Sequence, residues 1–286
     1  MEDPAMTDAP LDRELRAFRE AHPPIQLGAA GLSWSYLRGG SAGPAVLLLG
    51  GALGRAEFSF QVMRALEAST RVLAPDYPPA RSLREITDGL AAVLDAEGIR
   101  RAHVVGGSFG GVVAQAFARA YPERVASLVL SHTGAPGRAA GQALAVRILG
   151  LLPGRLLRGM LRRRLRATLT AADPFWLRRF DEIIATLSKR DVLSRVALAA
   201  EFNLLYGGVS IAHRPLYPVL IVEADDDPFF TAKKLAPLHA LYPDARTHVF
   251  HGTGHAAALL HPDAYAAVIR RFVGEAEERT AAVVAQ

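Results

Sequence analysis

Gly106-Gly107-Ser108-Phe109-Gly110-Gly111 stands between the apolar run Ala102-His103-Val104-Val105 and the small-residue helical pattern Val112-Val113-Ala114-Gln115-Ala116-Phe117-Ala118. A strand, a sharp turn and a helix therefore meet at one serine. So tight a turn leaves no room for a Cβ two residues to either side of that serine. Gly106 and Gly110 meet the demand, and Gly107 and Gly111 relax it further. The hydroxyl of Ser108 is then held out above the sheet edge. The helix N-terminus beneath it favours developing negative charge. Glycine and serine are common, so the motif alone also fits an ordinary glycine-rich turn; the rest of the chain decides.

A serine does not attack unaided at neutral pH. It needs an imidazole to take its proton and a carboxylate to hold that imidazole in the right tautomer. The C-terminal third supplies both. Pro218-Val219-Leu220-Ile221-Val222 reads as an aliphatic strand that runs into Glu223-Ala224-Asp225-Asp226-Asp227-Pro228. Thr247-His248-Val249-Phe250 reads as a second short strand. It ends in Gly252-Thr253-Gly254-His255, followed by an Ala/Leu helical stretch to Pro262.

These segments, with Leu49-Gly50-Gly51-Ala52-Leu53-Gly54 and Tyr121-Pro122-Glu123-Arg124-Val125, resemble the α/β-hydrolases in order and kind. The resemblance covers roughly residues 24–133 and 214–274. It implies an α/β-hydrolase fold, a mostly parallel central sheet flanked by helices, with a core of 24–133 and 214–276. Residues 134–213 are expected as an inserted helical cap, 1–23 as a tail and short helix, and 277–286 as a C-terminal tail. A looser similarity to maspardin-like members rests on Phe18-Arg19, Tyr77-Pro78 and Leu241-Tyr242-Pro243-Asp244-Ala245-Arg246.

Three carboxylates stand in a row, so the acid must be chosen. The family pattern is a small residue, two variable positions, then the acid, often before proline. Ala224 in the small position puts the acid at Asp227, with Asp225 the fallback. Asp225 and Asp226 are expected as solvated loop residues with a helix-capping role. Some relatives carry the acid after the strand that corresponds to Ser127-Leu128-Val129-Leu130. Here Ser131-His132-Thr133-Gly134 follows, with no carboxylate. Of nine histidines, His255 is expected as the base. His248, His251 and His261 are expected to line the loop or face solvent, and His103 to sit in the core or at a strand edge. The resemblance also implies an oxyanion hole made by the backbone N–H groups of Phe109 and Ala52, with Leu53 the alternative for the latter. Many relatives have His-Gly where this chain has Gly50-Gly51. The missing histidine takes away a side-chain brace, so a looser loop is expected.

The 286 residues can bury a sizeable core. The absence of cysteine excludes a disulfide scaffold, a thiolate metal site and a cysteine nucleophile. Met1 to Asp12 is acidic and no apolar signal region follows, so a cytoplasmic protein is expected. No apolar run approaches the length of a membrane span. Leu11 to Phe18 reads as an amphipathic helix stopped by His22-Pro23-Pro24, and residues 1–9 as a disordered tail. Arg71 to Asp76 reads as a strand and Leu83 to Glu97 as a helix, an alternation that argues a parallel sheet.

After Gly134 the strand signal stops until Pro218. Eight arginines (138, 147, 155, 158, 162, 163, 164 and 166) lie there among Leu, Ile and Met, with no acid before Asp173. Two readings stand: a solvated cap face, or a basic surface that makes weak contact with an anionic membrane or an acidic substrate. No nucleic-acid partner is expected, because no binding motif accompanies the charge. Phe175, Trp176, Phe202 and Tyr206 are the aromatic candidates for the pocket.

Two function classes follow. One is a serine hydrolase for an ester or related acyl bond of a small, hydrophobic substrate, needing no metal or organic cofactor. A serine at the elbow argues against chemistry that needs a carboxylate nucleophile. C–C bond, lactone and amide hydrolysis and perhydrolysis stay open. The other class is a non-catalytic, maspardin-like binding protein on the same fold.

Overall fold

A computed structural model describes residues 9–167, 173–208 and 215–284. Its centre is an eight-stranded sheet of β1 (Ile25–Ala29), β2 (Leu32–Gly39), β3 (Ala45–Leu49), β4 (Arg71–Asp76), β5 (Ala102–Gly107), β6 (Val125–Ser131), β7 (Val219–Ala224) and β8 (Arg246–Phe250). The strand order is β1-β2-β4-β3-β5-β6-β7-β8. β3 to β8 pair in parallel, while β2 is antiparallel to both β1 and β4. The parallel strands Ala-Val-Leu-Leu-Leu (β3) and Ala-His-Val-Val-Gly-Gly (β5) are near-continuous apolar runs because helices cover both of their faces. β2 and β1 form a hairpin at one edge. Its sequence signal is the alternation in Leu32-Ser33-Trp34-Ser35-Tyr36, which the parallel-sheet reading passes over.

The period-2 geometry of the strands splits the core into two layers. Leu47 and Leu49 of β3 join one cluster with Trp34, with α3 (Leu83–Ala96) and with α4 (Phe109–Ala120). Val46 and Leu48 join the other, with α1 (Pro10–Ala21), α2 (Phe60–Glu67) and α11 (Pro262–Val284). α3 starts where Ser82 accepts a bond from the Glu85 amide at 3.2 Å, an N-cap. The C-terminal tail expected from 277 is not one. α11 continues as helix to Val284, and Glu277 on it reaches His103 of β5 at 3.1 Å. The residues read as a disordered N-terminal tail lie outside the described ones, apart from Ala9.

Between β6 and β7 run α5 (Gln142–Leu151), α6 (Gly154–Arg166), α7 (Pro174–Thr186) and α8 (Lys189–Tyr206), followed after β7 by α9 (Ala232–Leu241) and the short α10 (Ala257–Leu260). α8 begins with a reciprocal capping box between Ser188 and Asp191. Leu157, Ile184, Leu187 and Val192 of this insertion form their own small core, and Leu53 of the sheet domain is buried in it. α1 ties the insertion down from the other side. Asp12 takes a bond from Arg178 at 2.5 Å, and Glu57 pairs with both Arg19 and Arg179.

Candidate active site

β5 ends and α4 begins at Ser108, whose backbone lies at φ 53°, ψ −117°. A non-glycine residue at positive φ stores roughly 1–3 kcal/mol of strain. The neighbouring glycines make it tenable. A Cβ on Gly106 would sit 2.4 Å from the Gly110 carbonyl oxygen, and one on Gly110 would sit 2.0 Å from that of Leu49. Gly111 is no mere relaxation, since its Cβ would strike the Thr133 side chain at 2.4 Å. Gly107 has open space around it. The Ser108 amide donates to the Ser131 carbonyl at 2.9 Å, which pins the turn to β6.

The turn presents Ser108 to His255. His255 Nε2 lies 2.9 Å from Ser108 Oγ, and its Nδ1 lies 2.8 Å from Asp227 Oδ2. The second carboxylate oxygen of Asp227 accepts the amides of Phe229 at 2.8 Å and Phe230 at 3.1 Å. The Asp227 side chain is 1% exposed. Burial pushes its carboxyl up, but the hydrogen bond and charge of His255, with the two amides, outweigh burial and hold it below the ordinary carboxylate range. An ionised acid facing Nδ1 keeps the proton there and leaves Nε2 free to accept from the serine. The rings of Phe229 and Phe230 pack against the imidazole at 5.2 and 5.7 Å.

The other two carboxylates hold the loop that carries the histidine. Asp226 accepts the Gly254 amide at 2.8 Å; Asp225 accepts the Gly252 amide at 3.2 Å and pairs with His251 at 2.7 Å. Both glycines have positive φ. The capping role expected of Asp225 and Asp226 is therefore replaced by a staple across two loops. His248 and His261 stay away from the cleft, and His103 is buried between Ser127 and Glu277.

His132 is the neighbour that sequence reading passed over. It follows β6 at φ 48°, and its ring meets that of His255 edge-on at 5.7 Å. Ser131 Oγ lies 2.8 Å from its Nδ1, while its Nε2 is buried without a partner. Burial first, and the adjacent His255 second, push this imidazole down to about 4. It is a neutral dipole beside the base at pH 7. The signal in the sequence was a titratable residue where some relatives place their acid.

Phe109 opens α4, so its N–H has no partner a turn back and points out of the helix end beside Ser108. The loop after β3 comes up on the other side, where a Cβ on Gly51 would lie 3.9 Å from Ser108 Cβ. Ala52 lines the cleft there. Leu53, next to it, also borders the cleft, with its side chain buried in the small core of the insertion. The expectation of a looser loop is corrected. The Tyr77 hydroxyl donates to the Gly50 carbonyl at 3.1 Å, and the Tyr77 amide donates to that of Gly54 at 3.0 Å. Tyr77 also packs edge-on against Phe109 at 5.7 Å. Arg195 of α8 fixes Tyr77 in turn. It bonds the carbonyls of Tyr77 at 2.5 Å and Pro78 at 3.0 Å, and lies over the Tyr77 ring.

Ser108 and His255 open into a cleft of about 580 Å³. Its walls are mainly apolar, with Val112, Leu161, Phe180, Val192 and Phe202 among them. Of the aromatic candidates, Phe202 lines the cleft. Phe175 and Trp176 are packed with Phe60, and Tyr206 lies against Phe202 and Arg119. Arg164 of α6 reaches the cleft and lies 5.0 Å from the centre of the Phe229 ring. No group of three or more His, Asp or Glu side chains suited to a metal occurs among the described residues.

The family model described as "Alpha/beta hydrolase family" matches residues 45–268. A 2-hydroxy-6-oxononadienedioate/2-hydroxy-6-oxononatrienedioate hydrolase of Cupriavidus pinatubonensis is 30% identical over 82% of this chain and 88% of its own. A poly(3-hydroxyalkanoate) depolymerase of Ectopseudomonas oleovorans is 26% identical over 82% of this chain and 86% of its own. Among solved structures, a hydrolase from Pseudomonas aeruginosa superposes with a TM-score of 0.74 at 23% identity, covering 88% of this chain and 98% of that one.

Proposed function

The chain belongs to the alpha/beta hydrolase family, and we propose that it is a serine hydrolase that cleaves an ester or related acyl bond of a small, largely hydrophobic substrate. The observation that carries this reading is the unbroken chain of contacts from Ser108 Oγ through His255 to Asp227. Ser108 Oγ attacks the acyl carbon while its proton passes to His255 Nε2. The Phe109 and Ala52 amides stabilise the oxyanion. Collapse breaks the bond to the leaving group, which takes the proton from His255. A water molecule then gives a proton to His255, attacks the acyl-enzyme and releases the acid with Ser108 restored. Asp227 stays ionised and orients the imidazole throughout. The apolar cleft walls favour a hydrophobic acyl or alcohol portion.

A carbon leaving group is the second reading, favoured by the likeness to the Cupriavidus hydrolase. The same steps apply, with His255 protonating carbon instead of oxygen. A non-catalytic binding role would not require Ser108, His255 and Asp227 to be in register.

A fluorophosphonate probe should label the protein, and Ser108→Ala should abolish labelling and p-nitrophenyl ester turnover while keeping the fold. Unchanged turnover in that variant removes Ser108 as the nucleophile and overturns the serine-hydrolase reading; a folded wild type that neither takes the probe nor turns over ester favours the binding role. A panel of acyl lengths set against a vinylogous 1,5-diketone would separate ester from C–C cleavage.

A further inference from the structure

The outer face of α5 and α6 is poorly covered for the surface of a folded protein. Eight of the ten exposed large apolar side chains among the described residues lie on α5, α6 and α8. α5 has no buried residue at all. Leu144, Ile148 and Leu151 recur on it at i, i+4 and i+7 and are 62, 53 and 83% exposed. Leu156 and Met160 repeat the i, i+4 spacing on α6 at 49 and 54% exposure. Leu204 and Leu205 of α8 stand near the start of α5, where Asn203 bonds Gln142.

The charge on this face is one-signed. Of the arginines on the two helices, Arg162 and Arg166 pair with Asp181, Arg158 donates to the Leu187 carbonyl and Arg164 covers Phe229. Arg147, Arg155 and Arg163 are exposed and have no ion pair among the described residues. No acid occurs from Arg124 to Ala172. Arg147 stands within one turn of Leu144, Ile148 and Leu151, and Arg155 and Arg163 flank the Leu156–Met160 stripe.

We propose that this face docks the enzyme on an anionic phospholipid surface, with the leucines, isoleucine and methionine in the acyl boundary and Arg147, Arg155 and Arg163 among the headgroups. Interfacial helices bind by this combination of exposed apolar area and unpaired cations. A second copy fits less well. A two-fold contact sets the same patch against itself, which would bring the arginines together with no acid to pair them. Nucleic acid would leave the aliphatic side chains uncovered, and neither helix has an aromatic ring for a base to stack on. Leu161, turned about 100° around α6 from Met160, lines the catalytic cleft, so one helix would have lipid on one side and substrate on another. The lipid-docking inference does not rest on the hydrolase reading.

The test is co-sedimentation with vesicles of phosphatidylglycerol mixed with phosphatidylcholine and of phosphatidylcholine alone, at low and high salt. The wild type should bind the anionic vesicles and be released by salt, because the Debye length falls to about 3 Å at 1 M. Arg147→Gln/Arg155→Gln/Arg163→Gln should weaken binding about 100-fold, from roughly fivefold per arginine. Leu144→Ser/Ile148→Ser/Leu151→Ser should weaken it at least tenfold. Both variants should keep wild-type circular dichroism and turnover of a soluble p-nitrophenyl ester. Two results would overturn the proposal: no binding by the wild type, or equal binding to neutral and anionic vesicles. A concentration-dependent dimer, without vesicle binding, that the serine variant disrupts would assign the face to a second copy.

Discussion

The hydroxyl of Tyr77 donates to the carbonyl of Gly50 at 3.1 Å, so a residue just beyond β4 holds the loop that carries one of the two proposed oxyanion donors. The same ring rests edge-on against Phe109, the other donor. One side chain thus sets the spacing of both. Tyr77→Phe keeps the ring and removes the bond. We expect a loss of about 1 kcal/mol of stability and a fall in kcat of roughly tenfold with KM little changed. An unaltered kcat in steady-state ester kinetics would free the loop from this brace.

Asp227 and Asp225 separate two roles that the sequence places side by side. Asp227→Asn should lower turnover about 10⁴-fold, the scale seen when a triad acid is neutralised elsewhere. Asp225 contacts His251 and Gly252 instead of the base, so Asp225→Asn should cost only a few-fold. The reverse ranking in kcat/KM would move the acid to Asp225.

The elbow glycines should respond unequally. Alanine at Gly110 would drive its Cβ to 2.0 Å from the Leu49 carbonyl oxygen, so Gly110→Ala should cost about 3 kcal/mol or leave no soluble protein. Gly107 has nothing within 4 Å of that position, and Gly107→Ala should stay within about 1 kcal/mol of wild type. Urea midpoints on the two proteins would check the contrast.

His132 makes the site sensitive to acid. Its folded-state value of about 4 lies below the ordinary 6.5, so between those values the unfolded chain binds a proton that the folded site refuses. Stability is fully present above about pH 6.5 and falls as pH drops toward 4, by at most roughly 3 kcal/mol from this group. His132→Asn suits the left-handed backbone and removes the titration. The fall in urea midpoint between pH 7 and 4.5 should shrink by about half. The remainder comes from the other imidazoles that burial pushes down, His103 and His248. An equal fall in both proteins would clear His132 of the effect.

The six parallel strands, the turn at Ser108 and the candidate acid and base were legible in the linear chain. Each rests on local steric and hydrophobic demands: glycine where no Cβ fits, continuous aliphatic runs where a strand is covered twice, a carboxylate and a histidine just past strand ends. The hairpin of β1 and β2 was less visible because only one of its strands alternates over a useful length. Nothing local announced that Tyr77 would reach Gly50, that His132 would sit neutral beside His255, or that Glu277 would reach back to His103 from a helix read as a tail. Those contacts span residues far apart in sequence or depend on burial, and burial depends on how the layers pack. The same holds for the arginines between Gly134 and Ala172. Their number was plain in the sequence, but packing alone decided which met Asp181 or Phe229 and which were left facing outward.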